Sequence, residues 1–562
     1  MAFQISPGVN VSEVDLTTVV PSVLTTAGAF VGTLDWGPAQ EITLVDSEIT
    51  LLKTFAQPST NSAVSFFSAA NFLAYGNNLR VVRAVGANCR NACVTSAAAV
   101  KVENEAIFQE SYLSANTNTY GSFMARFPGA LGNSLNVSVC SSSTQFSTWD
   151  YKSYFTSAPG TSDYTTSLGG SNDELHVVVV DEDGLFTGIK GTVLETFPFV
   201  SKASDAKING QSNYYKQVIF DTSSYVYAVA PVDYSNTVST WGTTAANKTF
   251  ANALNTYQSL GGGNDELPST ANLQTAWDLF GNKDTVDISL VVTGDASTTV
   301  QQYIIDNVVN ARKDCVAFIS PAQTDVVSET DSAATTNITT WLSTLSRSSS
   351  YVVADSGWKY QFDKYNNVYR WIPLNGDIAG LCVYTDNVTD PWFSPAGYNR
   401  GAIKNVIKLA WNPPKTYRDT LYAAGVNPVV SFPGQGTILF GDKTLLNKPS
   451  AFDRINVRRL FIVLEKAISE ASKFSLFELN DEFTRSQFVS LITPFLRDIQ
   501  GRRGIVDFKV VCDATNNTPQ VIDNNQFVGD IYIKPARSIN YIQLNFVAVA
   551  TGVEFNTVVG AA

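Results

Sequence analysis

The closest approach to a nucleotide-binding motif lies between Gly436 and Thr444, which reads GTILFGDKT. A P-loop needs the pattern G-x-x-x-x-G-K-[ST], because its backbone amides surround the phosphates and its lysine reaches them. Here Asp442 separates Gly441 from Lys443, so the lysine is out of register and a carboxylate would face the phosphates. The apolar residues in the middle favour a strand over a loop. We therefore interpret this segment as a strand and a turn.

Residues suited to nucleophilic or metal chemistry are few. His176 is the single histidine, and it precedes Val177–Val180, an apolar run typical of a buried strand, with no GxSxG motif in the chain. Among the six cysteines only Cys89 and Cys93 are close in sequence, and a zinc site at that spacing would need further ligands. We interpret the cysteines as reduced structural thiols and predict no catalytic residue, metal or cofactor.

Two acidic segments resemble each other, GGSNDEL from Gly169 and GGGNDEL from Gly261. One interpretation is a pair of loops that hold a hard cation through oxygen ligands. The other is two turns, which use glycine, asparagine and aspartate because these residues tolerate positive φ. No EF-hand spacing is present, so we favour the turns.

A carbohydrate-active site is an alternative that aromatic and carboxylate residues would allow. Asp355, Trp358, Asp363 and Trp371 are close in sequence and suit such a site if the fold brings them together. The same residue types are also ordinary in an aromatic-rich core and its turns. We therefore favour a protein without an active site.

The most pronounced charged cluster is basic. Arg454, Arg458 and Arg459 lie in the first turns of a helix predicted from Ala451 to Phe474, with Ser450 as its N-cap. Exposed cations at that end oppose the helix dipole and cost about 0.3–1 kcal/mol each. We expect an anionic group to compensate. It is either a carboxylate of the same chain, which has 50 acidic residues, or a partner protein.

A second basic cluster follows the next predicted helix, Asp481–Gln500. It consists of Arg497, Arg502 and Arg503. Cations at the C-terminal end of a helix suit its dipole without any partner, so this cluster has a simple structural explanation as well as a functional one.

Both ends of the chain have the alternating pattern of strands. The alternating apolar residues are Val9, Val11 and Val14 at one end and Ile542, Leu544, Phe546, Val553 and Phe555 at the other. Strands at termini expose unpaired N–H and C=O groups, which invite pairing with another chain. One such arm at each end indicates head-to-tail linkage, which builds open filaments instead of closed dimers.

Composition restricts the partners. The chain has 562 residues, 44% of them hydrophobic and 16% charged, which is ordinary for a folded protein of several domains. Its net charge of −12 argues against nucleic acid as a partner, because that interaction needs clustered lysine and arginine. No signal peptide and no apolar stretch of 18 residues is present, so we expect a protein made in the cytosol, without a membrane span.

Strand and helix patterns indicate a multidomain α/β and α+β fold. A strand, a helix and a strand follow one another at Ala29–Gly32, Ser62–Tyr75 and Leu79–Arg83. Two buried parallel strands, Ile288–Val292 and Cys315–Ile319, are joined by a helix at Val300–Lys313. Between these units the sequence is rich in serine, threonine, asparagine and glycine, which is typical of an all-β insertion. The expected divisions are a strand arm at 1–20, an α/β domain at 21–98 and 191–345, an inserted β domain at 99–190, a C-terminal α/β domain at 346–535 and a second arm at 536–562.

Several segments resemble a known family when their order and spacing are taken together. They are SPGVNVSEVD at the start, Phe30-Val31-Gly32 followed by Gly37-Pro38, FPGALGNSLNVSV near 130, GTILFGDKTL near 440, and VRRLFIVLEKAI, PFLRDIQGRRGIVDFKVVCD, NNTPQ and GDIYIKP after 456. In this order they are similar to the contractile tail sheath proteins of myophages. The resemblance covers most of the chain and is densest after about residue 350.

This resemblance implies a structural subunit of the virion tail that assembles in the host cytoplasm. The subunits would form stacked rings or a helix around a tail tube, with baseplate and tail terminator proteins as further partners, and would contract to drive the tube through the host envelope. The C-terminal domain would lie innermost and the inserted domain outermost. The arginines named above are candidates for contact with the tube or with an acidic patch of another subunit. A sheath of a phage-derived or secretion-type particle is the alternative within the same class.

Overall fold

The computed structural model describes residues 20, 23–114, 118–231, 240–253 and 257–544. The chain divides into two compact units after Phe477. In the part described, no helix is long and apolar enough to cross a membrane. The fold is of the mixed α/β kind that the sequence predicts.

The helices and strands are numbered along the chain. The strands are β1 Gly28–Gly32, β2 Ile42–Val45, β3 Leu79–Arg83, β4 Phe123–Ala125, β5 Leu135–Cys140, β6 Glu174–Asp181, β7 Thr192–Ser201, β8 Lys207–Ile208, β9 Gln211–Ser212, β10 Val226–Ala228, β11 Tyr257–Ser259, β12 Leu290–Val292, β13 Val316–Ile319, β14 Val352–Asp355, β15 Trp358–Asp363, β16 Val368–Pro373, β17 Lys408–Leu409, β18 Val426–Asn427, β19 Val429–Phe432, β20 Gly436–Leu439, β21 Ile505–Val511 and β22 Asp530–Pro535. The α-helices are α1 Glu48–Phe55, α2 Ala63–Leu73, α3 Glu105–Ser111, α4 Ser143–Thr148, α5 Asp163–Ser167, α6 Tyr215–Thr222, α7 Thr270–Asp278, α8 Thr298–Tyr303, α9 Asn310–Arg312, α10 Gln323–Val326, α11 Asp331–Leu345, α12 Asn375–Val388, α13 Lys415–Ala423, α14 Ile455–Ser472, α15 Glu482–Gly501 and α16 Pro519–Asp523.

A seven-stranded sheet forms the centre of the first unit, in the order β18-β14-β13-β12-β1-β3-β2. Its strand pairs are parallel except for the pair between β2 and β3. Helices cover both faces, as a mainly parallel sheet requires. Phe30 on β1 packs into the core on the face of α2 and α12, while Ala29 and Val31 pack into the core with α7, α8 and α11.

The predicted crossover helix at Val300–Lys313 is present but irregular. It runs as α8, then a π-helical segment at Ile304–Val309, then α9. It joins the two predicted parallel strands, β12 and β13, which pair directly in the sheet. The crossover therefore has the connectivity that the sequence indicates.

Residues between β3 and β12 leave the central sheet and return to it. They form a four-stranded antiparallel sheet in the order β11-β5-β6-β7 and a two-stranded sheet of β10 and β4. This inserted segment has its own core, which includes Val137 on β5, Val177 on β6 and Phe197 on β7.

Strand pairing does not follow two of the expected domain boundaries. β7 pairs with β6 across the expected limit at residue 190, and Phe197 and Val200 of β7 pack into the same core as Val177 of β6. β14 pairs with β13 across the expected limit at residue 345, so the central sheet continues into the segment assigned to the C-terminal domain. The residue composition on either side of residue 345 did not indicate that the central sheet continues across it.

The second unit is small. Helix α15 packs on an antiparallel ribbon made of β21 and β22. Asp481 caps α15 by accepting a hydrogen bond from the backbone N–H of Thr484 at 2.8 Å, which satisfies one of the free donors of the first turn. The predicted helix at Asp481–Gln500 therefore agrees with the structure within one residue at each end.

Candidate assembly surfaces

The terminal arms are only partly within the described residues. Val9, Val11 and Val14, together with Phe546, Val553 and Phe555, lie outside them. Ile542 and Leu544 are described, and their side chains are 78% and 71% exposed. Neither belongs to a strand of its own chain. Two alternating apolar side chains are thus left in solvent.

The ribbon of β21 and β22 has an unpaired edge on each side within the described part of the second unit. Its register places Phe508 opposite Ile533 and Val510 opposite Ile531. All four of these apolar side chains are only half-buried. A two-stranded ribbon is too narrow to cover a helix face, and isolated ribbons of this width are marginally stable in water.

Helix α15 supplies the apolar face that the ribbon covers incompletely. Phe488, Ile492, Leu496 and Ile499 recur at helical spacing and are buried. Phe495, on the flank of this face, remains half-exposed. The unit therefore has the geometry of a sheet that lacks strands at its edges.

The first basic cluster is held within the chain. The guanidinium of Arg459 forms two hydrogen bonds to the carboxylate of Asp386 on α12, at 2.7 and 2.6 Å. Both side chains are 4% exposed. Burial alone would lower the pKa of Arg459, but the Asp386 carboxylate raises it above its ordinary value. Arg459 is thus the intrachain ion pair that the sequence left as an alternative, and a partner cannot reach it.

Arg458 is buried as well. Its guanidinium lies over the rings of Tyr351 and Phe452, at 4.4 and 4.5 Å from their centroids, and 3.3 Å from a carboxylate oxygen of Glu465. The expectation that Arg458 and Arg459 face a partner is therefore corrected. Both follow the buried side of α14, because the helix carries its apolar residues on the same side.

The start of this helix also differs from the prediction. Residues Ala451–Asp453 form a short 3₁₀ turn, which Ser450 caps by accepting a hydrogen bond from the N–H of Phe452. Helix α14 begins after it, with Arg454 at the N-cap position and without a side-chain cap. Arg454 is half-buried, 3.7 Å from Asp442. The aspartate that breaks the P-loop pattern thus compensates one of the helix-start cations.

The second basic cluster is on the surface. Arg497, Arg502 and Arg503 are exposed. Arg502 lies 3.7 Å from Asp498, four residues earlier on the same helix. Arg497 and Arg503 have no ion pair within the described ranges. These two are the predicted basic residues that remain available for contact with another molecule.

The other candidate sites have structural roles. Gly436–Leu439 forms β20, as the strand interpretation predicts, and Lys443 donates a hydrogen bond to the carbonyl of Tyr422 at 2.6 Å. His176 is buried, with Nε2 2.9 Å from the carbonyl oxygen of Ser157 and Nδ1 accepting from the N–H of Phe199 at 3.1 Å. Burial lowers the pKa of this histidine, which keeps it neutral.

The aspartates of the two acidic segments accept hydrogen bonds from neighbouring loops. Asp173 is buried and accepts hydrogen bonds from the backbone and side chain of Ser162, while Asp265 accepts from the N–H of Ala130 at 2.9 Å. No group of three metal-ligating side chains occurs in the described residues. All six cysteines are buried and unpaired.

The two carboxylates named for a carbohydrate-active site lie in the interior of the protein. Asp355 and Asp363 are buried, and Trp358 donates its indole N–H to the carbonyl of Pro321 at 2.8 Å. Burial raises the pKa of Asp355 to about 8. Asp363 accepts a hydrogen bond from Arg370 at 2.7 Å. These groups stabilise the fold and do not converge on an open cleft.

Sequence reasoning missed one surface. Tyr360 and Phe362 on β15, with Tyr369 and Trp371 on β16, form a cluster of rings on one face of a hairpin. The signal was present in WKYQFDKYNNVYRW, where aromatic residues alternate on both sides of an Asn-Asn turn. Of these four residues only Trp371 was named from the sequence, within the carbohydrate-site alternative, so the shared face was not recognised.

Comparison with known proteins gives matches along the chain. Residues 25–84 match the family described as the domain III N-terminal region of tail sheath protein Gp18, residues 267–445 the phage tail sheath protein central domain, and residues 447–548 the phage tail sheath C-terminal domain. The chain is 35% identical to the tail sheath protein of Vibrio phage KVP40, over 99% of this chain and 100% of that protein. It is 32% identical to the tail sheath protein of Enterobacteria phage T4, over 99% of each.

Solved structures share the fold at lower identity. The crystal structure of a sheath tail protein from Listeria innocua matches with a TM-score of 0.53 and 10% identity, over 92% of this chain and 96% of that one. The helical sheath of the anti-feeding prophage in its contracted state matches with a TM-score of 0.51 and 13% identity, over 97% and 99%.

Proposed function

From the premise that this chain belongs to the family of phage tail sheath proteins, we propose that its copies join through their terminal strands into a helical sheath around a tail tube. The chain is a structural subunit of a contractile phage tail sheath and a component of the virion tail. The observation that carries the proposal is the open ribbon of β21 and β22. Among the residues that the structure describes, no strand pairs with either edge of this ribbon, and its apolar face is half-buried.

Addition of the arms as strands to the ribbon of another copy would pair both the edges of the ribbon and the arms. The ribbon needs strands at its two edges, and each arm has the alternating sequence pattern of a strand. Main-chain hydrogen bonds at a sheet edge provide affinity, and the side chains of alternate residues fill the adjacent apolar surface. Ile542 and Leu544 are alternate apolar residues of the C-terminal arm, and both lie within the described residues.

Donation of arms from each copy to the next gives heterologous contacts, which propagate into a helix or stacked rings. The solved relative from the anti-feeding prophage is a helical sheath. Because the linked strands are held by hydrogen bonds while the connecting segments bend, the lattice survives a rearrangement of its subunits. Contraction of this lattice would then drive the tube through the host envelope.

For contact with the tube we propose Arg497 and Arg503. Solvated ion pairs are worth about 0–1 kcal/mol each, so they grip a tube in the extended sheath and release it on contraction. Arg502 and Arg454 are weaker candidates because carboxylates lie near them. Arg458 and Arg459 are excluded by their burial.

The remaining partners and the layout follow from the family. We propose baseplate and tail terminator proteins at the two ends of the sheath, the inserted segment on its outer surface, and the C-terminal residues towards the tube. We propose no catalytic activity for the chain. Its relatives are structural proteins of phage tails.

The test is electron microscopy of the purified full-length chain at high concentration, beside a variant without residues 1–19 and a variant without residues 545–562. The first deletion stops before Val20, which is buried. We expect hollow tubes from the intact chain and folded monomers from both truncations, with circular dichroism as the check on folding. Tubes from either truncated chain would overturn the arm proposal.

A matched pair of substitutions sharpens this test. I542S/L544S removes the apolar residues at the even positions of the arm, whereas I539S/Y541S removes two equally exposed apolar residues at odd positions. We expect loss of tubes with the first pair only. Equal effects of the two pairs would show that the alternation has no role.

A further inference from the structure

The hairpin of β15 and β16, extended by β17, presents what we call the aromatic face: Tyr360, Phe362, Tyr369, Trp371 and Lys408. In the strand register Tyr360 lies opposite both Trp371 and Lys408, and Phe362 lies opposite Tyr369. Directly opposite residues share one face of an antiparallel sheet. The five side chains therefore form one continuous surface.

This face is on the outside of the molecule. The alternate residues of β15, which are Lys359, Gln361 and Asp363, are buried. On the aromatic face Phe362 is 40% exposed and Tyr369 is 51% exposed. A solvent-facing sheet surface normally carries polar residues, and a cluster of exposed rings is typical of an interaction site.

Charge gives this face a preference for an acidic partner. The ammonium of Lys408 lies over the rings of Tyr360 and Trp371, at 5.1 and 5.5 Å from their centroids. Within the described residues no carboxylate pairs with it. In the surrounding segment, residues 358–418, all four carboxylates are buried, and no ion pair within the described residues involves Arg400, Lys404 or Arg418.

A second group that combines a cation with exposed aromatic rings lies in the first unit. Arg418 on α13 lies over Phe432 and Phe440, at 5.6 and 5.7 Å, and Tyr398 packs against both rings. Phe440 and Tyr398 are exposed. Residues 402–409 connect the two groups, because Ala402 bridges to β20 while Lys408 pairs with β15. In the part of the chain that the structure describes, a cation without an ion pair thus lies beside exposed rings in both of these groups.

We propose that the aromatic face binds the inserted segment, residues 84–267, of a second copy of this chain. That segment has sixteen acidic and nine basic residues, and Glu110, Asp150 and Asp163 are among its exposed carboxylates. In an assembly of identical chains with a net charge of −12, a neighbouring copy is the nearest source of acidic surface. The inference rests on the self-assembly proposed above and adds a contact that does not involve the arms.

The test is site-specific photo-crosslinking of the assembled full-length chain. A benzophenone amino acid replaces Tyr369, and in a parallel sample Tyr532 on the exposed side of β22. A mixture of ¹⁴N- and ¹⁵N-labelled copies identifies peptides joined between two copies by mass spectrometry. We expect position 369 to crosslink to residues 84–267 of the second copy. We expect position 532 to crosslink to a second copy whether or not position 369 does.

The effect of charge reversal on assembly is a second measurement, and the melting temperature of each variant reports whether it folds. K408E should raise the protein concentration needed for half-maximal assembly at low salt by about tenfold or more, because like charges then face each other. K415E is the matched control. Lys415 is exposed on α13 and pairs with Asp419 four residues later, so its reversal should leave assembly unchanged. Both variants should melt at the wild-type temperature.

The possible outcomes separate this inference from the arm proposal. Crosslinks from position 369 to another part of a second copy, to nucleic acid or only within its own copy would overturn the inference. So would the absence of crosslinks at 369 when 532 still reacts. Crosslinks at 369 without any at 532 would overturn the arm proposal and support this contact. Failure at both positions would overturn both, because each requires contact between copies.

Discussion

Replacement of Arg459 by alanine should destabilise the first unit severely, although sequence alone made this residue a candidate for partner binding. The side chain joins α14 to α12 by two short hydrogen bonds to Asp386, and a third contact runs to the carbonyl of Cys382 at 3.3 Å. Removal of the guanidinium leaves the carboxylate of Asp386 buried without its partner. That charge cannot be resolvated unless the two helices separate.

The expected loss is about 3–5 kcal/mol, the range for removal of one partner from a buried ion pair. The double variant R459M/D386L removes both charges and fills the same volume with apolar atoms. It should lie within roughly 1–2 kcal/mol of the wild type, because replacement of a buried pair by apolar residues is often close to neutral. The double variant is therefore expected to be more stable than R459A alone.

Hydrogen exchange of the α14 amides is the most direct assay, since it reports on this helix without the assumption that the whole chain unfolds in one step. A loss of 3–5 kcal/mol accelerates exchange by a factor of about 10² to 10³·⁵, because each 1.4 kcal/mol is tenfold. Lys473, directly after α14, is the matched control. Its exposed pair with Glu470 is worth at most about 1 kcal/mol.

Two results would refute this reasoning. Exchange of α14 in R459A at the rate seen in K473A would mean that the ion pair contributes little. A double variant less stable than R459A would mean that the fold needs the charges themselves. Loss of assembly by R459A with unchanged exchange would instead restore Arg459 as a contact residue.

Three further predictions follow from the described contacts. Leu496→Ala should cost about 2–5 kcal/mol in the second unit, because the side chain is fully buried, whereas alanine at the exposed Leu479 of the same unit should change the free energy of unfolding by less than about 0.5 kcal/mol; urea titrations compare the two. Burial lowers the pKa of His176 below its unfolded value of about 6.5, so the stability it supplies is complete above that pH and is lost as the pH falls below it. Melting curves at pH 7.5 and 5.5 should show this loss in the wild type, and H176F should lack it. Arg83→Ala should destabilise the junction of β3 with the inserted segment by several kcal/mol, because the buried guanidinium donates to the carbonyls of Leu34 and Pro128 at 2.6 and 2.7 Å; a hydrogen-exchange profile unchanged at both segments would contradict this.

Much of the local structure was predictable because its signals are local. The alternation at β5, the buried runs of β6, β12 and β13, and the helical spacing of α15 each appear within a few residues of sequence. Domain boundaries were less predictable. The pairing of β14 with β13 joins segments on both sides of an expected limit, and no composition change marks a hydrogen-bonded neighbour.

The basic residues show where prediction of a site from sequence fails. The spacing placed Arg458 and Arg459 correctly on one helix, whereas Arg454 lies at its N-cap. Whether each side chain meets solvent depends on α12, which is some seventy residues away in sequence and supplies the carboxylate of Asp386. A buried arginine and an exposed one have the same sequence signature when the compensating acid is distant. Arg497, by contrast, is followed by the end of its helix, and its exposure agrees with the simple expectation.

The central sheet illustrates how a scaffold common among ligand-binding proteins serves a structural role. In open, mainly parallel sheets, ligands bind beyond the carboxyl ends of the strands, where the strand order reverses. Here β1 pairs with β3 on one side and β12 on the other, which is such a point. Asn375, at the start of α12, occupies the carboxyl edge beside it. Its amide donates to the carbonyl of Gly294 at 2.7 Å and to Ser320 Oγ at 2.9 Å.

The same edge is closed further along by Ser320, which donates to the carboxylate of Asp355 at 2.6 Å. Burial raises the pKa of Asp355 to about 8, so this group is mostly protonated near neutral pH and bears little charge for a ligand to meet. Polar groups that would face a substrate in an enzyme are here satisfied by one another. At this point of the carboxyl edge Asn375, Ser320 and Asp355 therefore serve the fold, because they are hydrogen-bonded to one another or to the backbone.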